Sequence, residues 1–126
     1  MNTSQDRANR IAAWSARSRD LLWIITLGFI TQIIVLGIIS AGWTTANLAV
    51  SVFLIFTTIL TITGALDAMD DINAISQDAQ ADEAELKAQK RFADTQWGMF
   101  KGLIVVGFGS VSYTHLRAHE TEADLV

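Results

Sequence analysis

Few side chains in this sequence could carry chemistry, and both of its histidines lie near the C-terminus. His115 and His119 are four residues apart and Glu120 follows directly, a spacing that brings two imidazoles to one face of a helix, as in helical zinc sites. The order in zinc proteases is H-E-x-x-H, and the order here is different. The chain has no Cys, so thiolate ligands and disulfides are excluded. We therefore predict no metal site in this segment.

A second candidate for chemistry is the acidic group formed by Asp67, Asp70, Asp71 and Asn73. The spacing i, i+3, i+4 collects carboxylates on one face of a helix, and oxygen ligands suit a hard cation such as Mg²⁺ or Ca²⁺. The stretch has no Gly for a binding loop and no EF-hand pattern, which favours a solvated face beside a membrane. Upstream of the tail there is no Ser–His or Cys–His pair and no Gly-rich phosphate loop. We predict no catalytic residue, no cofactor, no small-molecule substrate and no nucleic-acid partner.

Residues 21–66 organise the rest of the chain, because they contain no Asp, Glu, Lys, Arg or His. A helix that is apolar on every face does not fit a soluble core. The stretch divides around residues 41–45, which leaves segments 21–41 and 46–66. At 1.5 Å per residue each is about 31 Å long, close to the hydrocarbon thickness of a bilayer. We predict a hairpin of two transmembrane helices.

Residues 1–20 are predicted to form a basic cytoplasmic helix that starts after a cap at Thr3 or Ser4. Four arginines precede the first span, and the turn at residues 42–47 has no charge. The positive-inside rule therefore places the N-terminus in the cytoplasm, as an uncleaved anchor in a membrane that we expect to be the bacterial inner membrane. The alternative is a dedicated helix that binds anionic lipid or a partner. The four arginines are Arg7, Arg10, Arg17 and Arg19.

Several uncharged residues of the hairpin are candidates for helix packing or for membrane interfaces. Gln32 is the one strongly polar side chain deep in the first span. It could form a hydrogen bond to Thr57, Thr58 or Thr61 of the second helix and so stabilise helix packing. Alternatively, it could line a pore or a proton path. Small residues that permit close approach are Gly28 and the pair Gly37 and Ala41. Trp23 and Trp43 fall at the two interfaces, where indoles are enriched.

Residues 67–96 are predicted to form an acidic cytoplasmic connection that is largely helical. We expect the second helix to continue to about Asn73, a break near residues 73–77, and one new helix, capped by Ser76, that leads into a third span. Glu83 and Lys87 have the spacing of a helical ion pair. An antiparallel stalk is expected, in which residues of the first arm pack on those of the second. The first arm offers Met69, Ile72 and Ile75, and the second offers Leu86, Phe92 and Ala93.

The third predicted span, residues 97–113, opens with two residues that suit the inner interface. Trp97 is one, and Lys101 lies one turn further on, from where its amine can reach the headgroups. Gly98 and Gly102 form a GxxxG pattern, which marks tight helix contacts. The apolar run is about 17 residues long, at the short limit for a span. The third span therefore ends earlier than a full crossing needs.

The tail VSYTHLRAHETEADLV, residues 111–126, resembles a peptide that recurs at the ends of reading frames assembled from sequencing reads. It looks like translated adapter sequence joined to a truncated gene, and the resemblance covers Val111 to Thr121. It implies no fold and no activity. It does imply that the native third span continues past Ser110, that its outer half is missing, and that residues 114–126 are an artefactual tail.

The sequence thus predicts an all-α integral membrane protein with three transmembrane helices, a basic N-terminal helix and a cytoplasmic helical stalk. The expected role is a non-enzymatic accessory or scaffolding subunit that packs against other membrane helices, either its own copies or a larger complex. A pore-forming protein of the phage-holin type is the first alternative, on size and span count. A small transporter subunit or membrane enzyme is the second, although no charged group lies near the midplane of a span.

Overall fold

The computed structural model describes residues 3–42, 47–79 and 81–123, and these residues are helical apart from short connections. Residues 43–46, with Trp43 and most of the predicted polar turn, lie outside this part. The helices, in chain order, are α1 (Ser4–Ser40), α2 (Asn47–Gln77), α3 (Ala81–Ala84), α4 (Lys87–Ala93) and α5 (Trp97–Ala123).

Helix α1 joins the basic segment and the first apolar segment into one helix of 37 residues. It begins with a capping box, in which the Asp6 backbone N–H donates to the Thr3 hydroxyl and the Thr3 N–H donates to the Asp6 carboxylate. The predicted cap at Thr3 is confirmed. The helix ends at Ser40 with Ala41 as its C-cap. Gly42 follows, and its φ of +68° lies in the left-handed region that glycine adopts without strain.

Helix α2 is the central helix, since it packs along α1 and also against α5, whereas α1 and α5 touch in few places. Its buried residues follow one another at intervals of three and four, the spacing with which neighbouring helices interlock at a small crossing angle. Several of them are small, which lets the backbones approach closely. The stripe consists of Leu54, Thr58, Thr61, Ala65, Ala68, Ile72 and Ser76.

The apolar part of the molecule is inverted relative to a soluble protein. Large apolar side chains point outward, and examples that are more than half exposed are Leu22, Ile33 and Phe56. Polar side chains such as Gln32 and Thr58 are buried instead. Two helices of the described part, α1 and α2, are long and apolar enough to cross a membrane by length and composition. Helix α5 does not meet the same requirement of length and apolar composition, so the third span stays a proposal.

The connection between α2 and α5 differs from the prediction in its helix boundaries. Helix α2 continues to Gln77, and the Ser76 hydroxyl donates to the Asn73 carbonyl inside α2 instead of capping the next helix. The expected single helix leading into the third span is wrong, because α3 and α4 are separate short helices. The chain is extended at Leu86, with φ −65° and ψ 135°. Contacts of this stretch with α1 and with the end of α2 outweigh its high helix propensity.

The stalk also forms in a different way from the one expected. Leu86 is 59% exposed and does not join a stalk core. Phe92 instead meets Trp14 of α1 edge to face, with 5.0 Å between ring centroids. The predicted Glu83–Lys87 ion pair is wrong as well, since the Glu83 carboxylate binds two arginines of α1. The connection therefore packs on α1 and on the end of α2 together.

Candidate functional site

Polar side chains from three helices meet inside the apolar part of the bundle. The Gln32 amide nitrogen donates to the Thr58 hydroxyl at 3.3 Å and to the Ser112 hydroxyl at 3.0 Å. The two hydroxyl oxygens lie 2.6 Å apart, within hydrogen-bond distance of each other. Gln32 thus joins α1 to α2 and α5 at one level. The structure selects Thr58 among the three threonines that were considered, and Ser112 was not foreseen as a partner.

Gln32 keeps one hydrogen-bonding atom unused. Its amide oxygen is buried and has no partner among the described residues. The two ends of an amide are interchangeable by rotation, so one of them stays unpaired whichever way the group is turned. A pair of hydroxyls satisfies one end of a glutamine but cannot satisfy both. This is a polar atom held in an apolar setting, which is costly unless a donor reaches it.

Gly28 is the point of closest approach between helices. A Cβ atom at this position would lie 2.6 Å from the Thr61 methyl carbon and 2.7 Å from a ring carbon of Phe108. These distances are too short for real contacts, so the Thr61 and Phe108 side chains, or the helices that carry them, would have to shift. The absence of a side chain at Gly28 lets Thr61 of α2 and Phe108 of α5 both lie against α1.

The other small residues of interest have open space beside them in the described part of the chain. A Cβ atom added at Gly37, Gly98 or Gly102 would meet nothing within 4 Å, and Ala41 is exposed at the end of α1. An open groove does exist between α1 and α5, about 480 Å³ in volume. Its walls include Phe29, Gln32, Leu36, Leu103, Gly107 and Val111.

The opposite end of the bundle, with residues 4–20 and 67–96, is held by ion pairs. Arg10 grips the Glu83 carboxylate with two nitrogens, Nη2 at 2.6 Å from Oε1 and Nε at 3.2 Å from Oε2. The Nε atom of Arg7 donates to Oε1 at 2.9 Å. We call these three residues the arginine–glutamate cluster. Glu83 is only 8% exposed, so one buried carboxylate holds two guanidinium groups of α1.

The hydrogen bonds from Arg10 are the main cause that lowers the pKa of Glu83 below its ordinary value, and the Arg7 bond adds to them. Burial alone opposes this shift, because it disfavours the charged carboxylate. At the start of α1, hydrogen bonds from Thr3 likewise lower the pKa of Asp6. Both carboxylates are therefore ionised in the folded protein at neutral pH.

Two further ion pairs tie the helices together nearer the apolar part. Arg17 lies 2.7 Å from Asp71 of α2 and 3.8 Å from Asp20 of its own helix. Lys101 of α5 donates to Asp70, a partner the sequence did not suggest, instead of extending towards lipid headgroups. These contacts engage two of the three aspartates considered for a cation. In the described part of the chain no group of three or more His, Cys, Asp or Glu could hold a metal ion.

The predicted interface anchors have different surroundings. Trp23 is 59% exposed on the outer surface of α1. Trp97 is half-buried and stacks on Phe92 at 6.4 Å, and its buried indole N–H has no partner in the described part. Trp43 lies outside the described residues, as do the side chains of His115 and His119.

Comparison with known proteins finds no matching family, no matching curated protein and no matching solved structure. Function must therefore be argued from the geometry of this chain. The two features that geometry offers are the helix contact around Gly28 and Gln32, with its neighbouring groove, and the ion pairs at the polar end.

Replacing Gly28 by alanine tests the helix contact. We expect G28A to lower the free energy of unfolding by about 1–3 kcal/mol, the usual cost of overpacking, because the new methyl group collides with Thr61 and Phe108. The matched control is G37A in the same helix, where the methyl group meets nothing and stability should be unchanged or slightly higher. The measurement is thermal or denaturant unfolding in detergent micelles. Equal effects of the two variants would contradict the close approach at Gly28.

The Glu83 pair predicts a pH dependence with a definite sign. A lowered pKa means that the carboxylate stabilises the folded state fully above its unfolded pKa of about 4.3. The contribution disappears as the pH falls through the lower, folded-state pKa. We expect the stability difference between wild type and E83Q to be largest at pH 7 and to shrink at an acidic pH below about 4.3, as measured by unfolding in micelles. The control is E85Q, at an exposed position with no ion pair among the described residues, which should show no such difference at either pH.

Proposed function

We propose that the chain is a small, non-enzymatic membrane protein with three spans, a cytoplasmic N-terminus and an accessory or scaffolding role. In this role it packs against other helices in what we expect to be a bacterial inner membrane. The observation that carries the proposal is the open groove between α1 and α5. The membrane setting and the third span rest on separate observations.

The inverted distribution of side chains supports a lipid environment. Two helices with outward Leu, Ile and Phe and inward Gln and Thr would expose their apolar surface to water in solution. In lipid the same surface is at no disadvantage, and buried polar and small residues supply the contacts between helices. The ionic end then lies in water, where arginines near the first span favour the cytoplasmic side.

The groove supports a role in packing. Helix α2 touches both α1 and α5, while α1 and α5 barely meet. Three helices arranged in this way occupy three corners of a four-helix bundle, in which the two outer helices lie on a diagonal. The fourth corner is the groove, with the open position Gly107 in its wall. A membrane helix of a partner, or of a second copy, fits this space.

The ion pairs fit a structural role for the charged residues. Arg7, Arg10 and Arg17 bind carboxylates of the connection and of α2, and Lys101 binds Asp70. Pairing of this kind fixes the ends of helices relative to one another. A charge kept for moving protons through a span would instead lie near the membrane midplane.

The depth of α5 supports a truncated third span. The Ser112–Thr58 contact lies at the middle of the second apolar segment, since Thr58 is central in residues 46–66. The Lys101–Asp70 contact lies at the polar boundary. Because α5 runs antiparallel to α2 between these contacts, the outer half of its span falls on residues 113–123. These include Arg117, a residue that is costly at such depth, and they coincide with the tail that resembles adapter sequence.

A pair of glycine substitutions tests the packing role. Gly107 lines the groove and Gly109 does not, and both have open space where a side chain would go. We expect wild type to migrate above the monomer on blue-native gels, and G107L to lose the larger species. The loss corresponds to roughly 1–3 kcal/mol of overpacking at the contact. G109L should keep the larger species. A monomeric wild type, or equal behaviour of G107L and G109L, would argue against the groove as a packing site.

Replacing the outer part of α5 tests the truncated span. We expect a variant with residues 113–123 replaced by leucine and alanine to place a C-terminal alkaline phosphatase reporter outside the membrane, with several-fold more activity than the unmodified chain. The reason is that each central leucine favours insertion by about 0.3–0.6 kcal/mol, whereas Arg opposes it. A glycine and serine replacement of the same length is the control and should give no gain. Full reporter activity with the present tail would refute the truncation.

A further inference from the structure

The segment between α2 and α5 lies across the polar end of α1, and we call residues 78–96 the strap; residue 80 lies outside the described part. The strap buries little of itself. Helix α4 has no buried residue, and most described side chains of the strap are exposed. Glu83 is the one buried residue among them. A segment with so few buried apolar contacts has a low free energy of local opening.

The buried residue of the strap is also a charged one, and its partners are distant in sequence. Both oxygens of Glu83 accept hydrogen bonds from α1, from Arg7 and Arg10. Charge-assisted bonds of this kind are about twice as strong as neutral ones. Removing the charge leaves two guanidinium groups side by side and a polar group in a site built for a carboxylate. Among the described side chains of the strap, Glu83 is the one that forms ion pairs with α1.

Two weaker contacts complete the closed position of the strap. The Gln89 amide donates to the carbonyl of Ser76 at the end of α2. The Phe92 ring lies between two indoles, edge to face with Trp14 of α1 and stacked on Trp97 of α5. Beneath the strap is a cavity of about 180 Å³ between α1 and α2, lined partly by Ile11, Trp14, Ile75 and Ser76.

We propose that the strap is a conformational switch held closed by Glu83. In the closed state it covers the apolar cavity and the buried Ser76 side chain, and Phe92 connects α1 to the start of α5. When the Glu83 charge is neutralised or screened, the strap leaves α1, uncovers the cavity, and frees Trp97 from its stacking partner. The switch is independent of the packing role proposed above, since it uses residues at the other end of the bundle.

The charges around Glu83 determine what can operate the switch. From α1 it faces Arg7 and Arg10, and Asp6 is close enough to Arg10 to interact with it. Lys87 and Lys90 lie further along the strap. The strap also carries the carboxylates of Asp78, Asp82, Glu85 and Asp94, so the surroundings are not positive overall. A dissolved or bound anion acts by competing with Glu83 for the two arginines. High ionic strength weakens the pair in the same direction.

The test uses the absence of Cys from the chain, which makes an engineered cysteine the only thiol. Ser76 is 8% exposed under the strap, and S76C is a near-isosteric replacement. We expect a water-soluble maleimide, in micelles, to label S76C/E83Q about ten times faster than S76C. A tenfold change is the size of effect expected from the loss of one charge-assisted hydrogen bond. E85Q, which changes the charge equally at an exposed position, should leave the rate unchanged. The labelling rate of the S76C single variant should also rise when the NaCl concentration is raised from about 0.05 M to about 0.5 M.

A charge exchange separates opening from general unfolding. In the S76C background, E83R and R10E should each speed labelling, and the double variant E83R/R10E should restore much of the protection. Helix content by circular dichroism should stay the same in all of them, because only the strap moves. Equal labelling rates in E83Q and E85Q, or a double variant as reactive as either single one, would overturn the proposal. If E83Q loses helix content, the other two measurements test the switch instead. A labelling rate of S76C that does not rise with salt, or a charge exchange that does not restore protection, would then overturn the proposal.

Discussion

In the membrane setting proposed above, the structure depends on one constraint: the apolar helices must be held together by close packing and hydrogen bonds. Apolar surfaces gain little from touching one another in lipid, so burial of apolar area cannot do this. Gly28 supplies the close packing, where Thr61 and Phe108 leave no room for a methyl group. Gln32 supplies the hydrogen bonds at the next turn, to Thr58 and Ser112. All three long helices meet within these two turns of α1.

The polar end follows different physics. Its helices lie where water competes for hydrogen bonds, and exposed ion pairs contribute little there. Burial of Glu83 between two arginines makes that pair an exception, because a desolvated carboxylate that lost its partners would be strongly unfavourable. The bundle thus combines a rigid apolar half, fixed by shape, with a polar half, fixed by charge. Changes of salt or pH act on the second half and leave the first untouched.

The sequence predicted the helical class, the helix cap at Thr3 and the division of residues 21–66, because each depends on local patterns. Absence of charge over a long run, a capping residue and a glycine at the turn need no knowledge of distant contacts. It predicted less about the connection. Glu83 has a neighbour at the right spacing, Lys87, and local reasoning paired the two. Two arginines more than seventy residues away bind it instead, and no local signal indicates which distant charge will be close.

For the contact around Gly28 and Gln32, the sequence likewise predicted some residues correctly and missed others. Gln32 stood out as the polar residue in an apolar segment, and a partner on the second helix was expected. The glycine pairs drew attention through their spacing, yet Gly98 and Gly102 have open space beside them, whereas isolated Gly28 is the tightest position. Spacing identifies helix faces but not which face a neighbour occupies. That choice depends on how three helices share one core, which no single segment encodes.

The continuity of α1 has a mechanical consequence. Its 37 residues run without proline or interruption from the ion pairs at the polar end to Ser40. The part that precedes residue 21 is a lever arm of about 25 Å. A tilt of the first span by about 10° would swing the tip of this arm by roughly 4 Å, more than the length of a hydrogen bond. A tilt at one end of this continuous helix is therefore felt by the ion pairs at the other end.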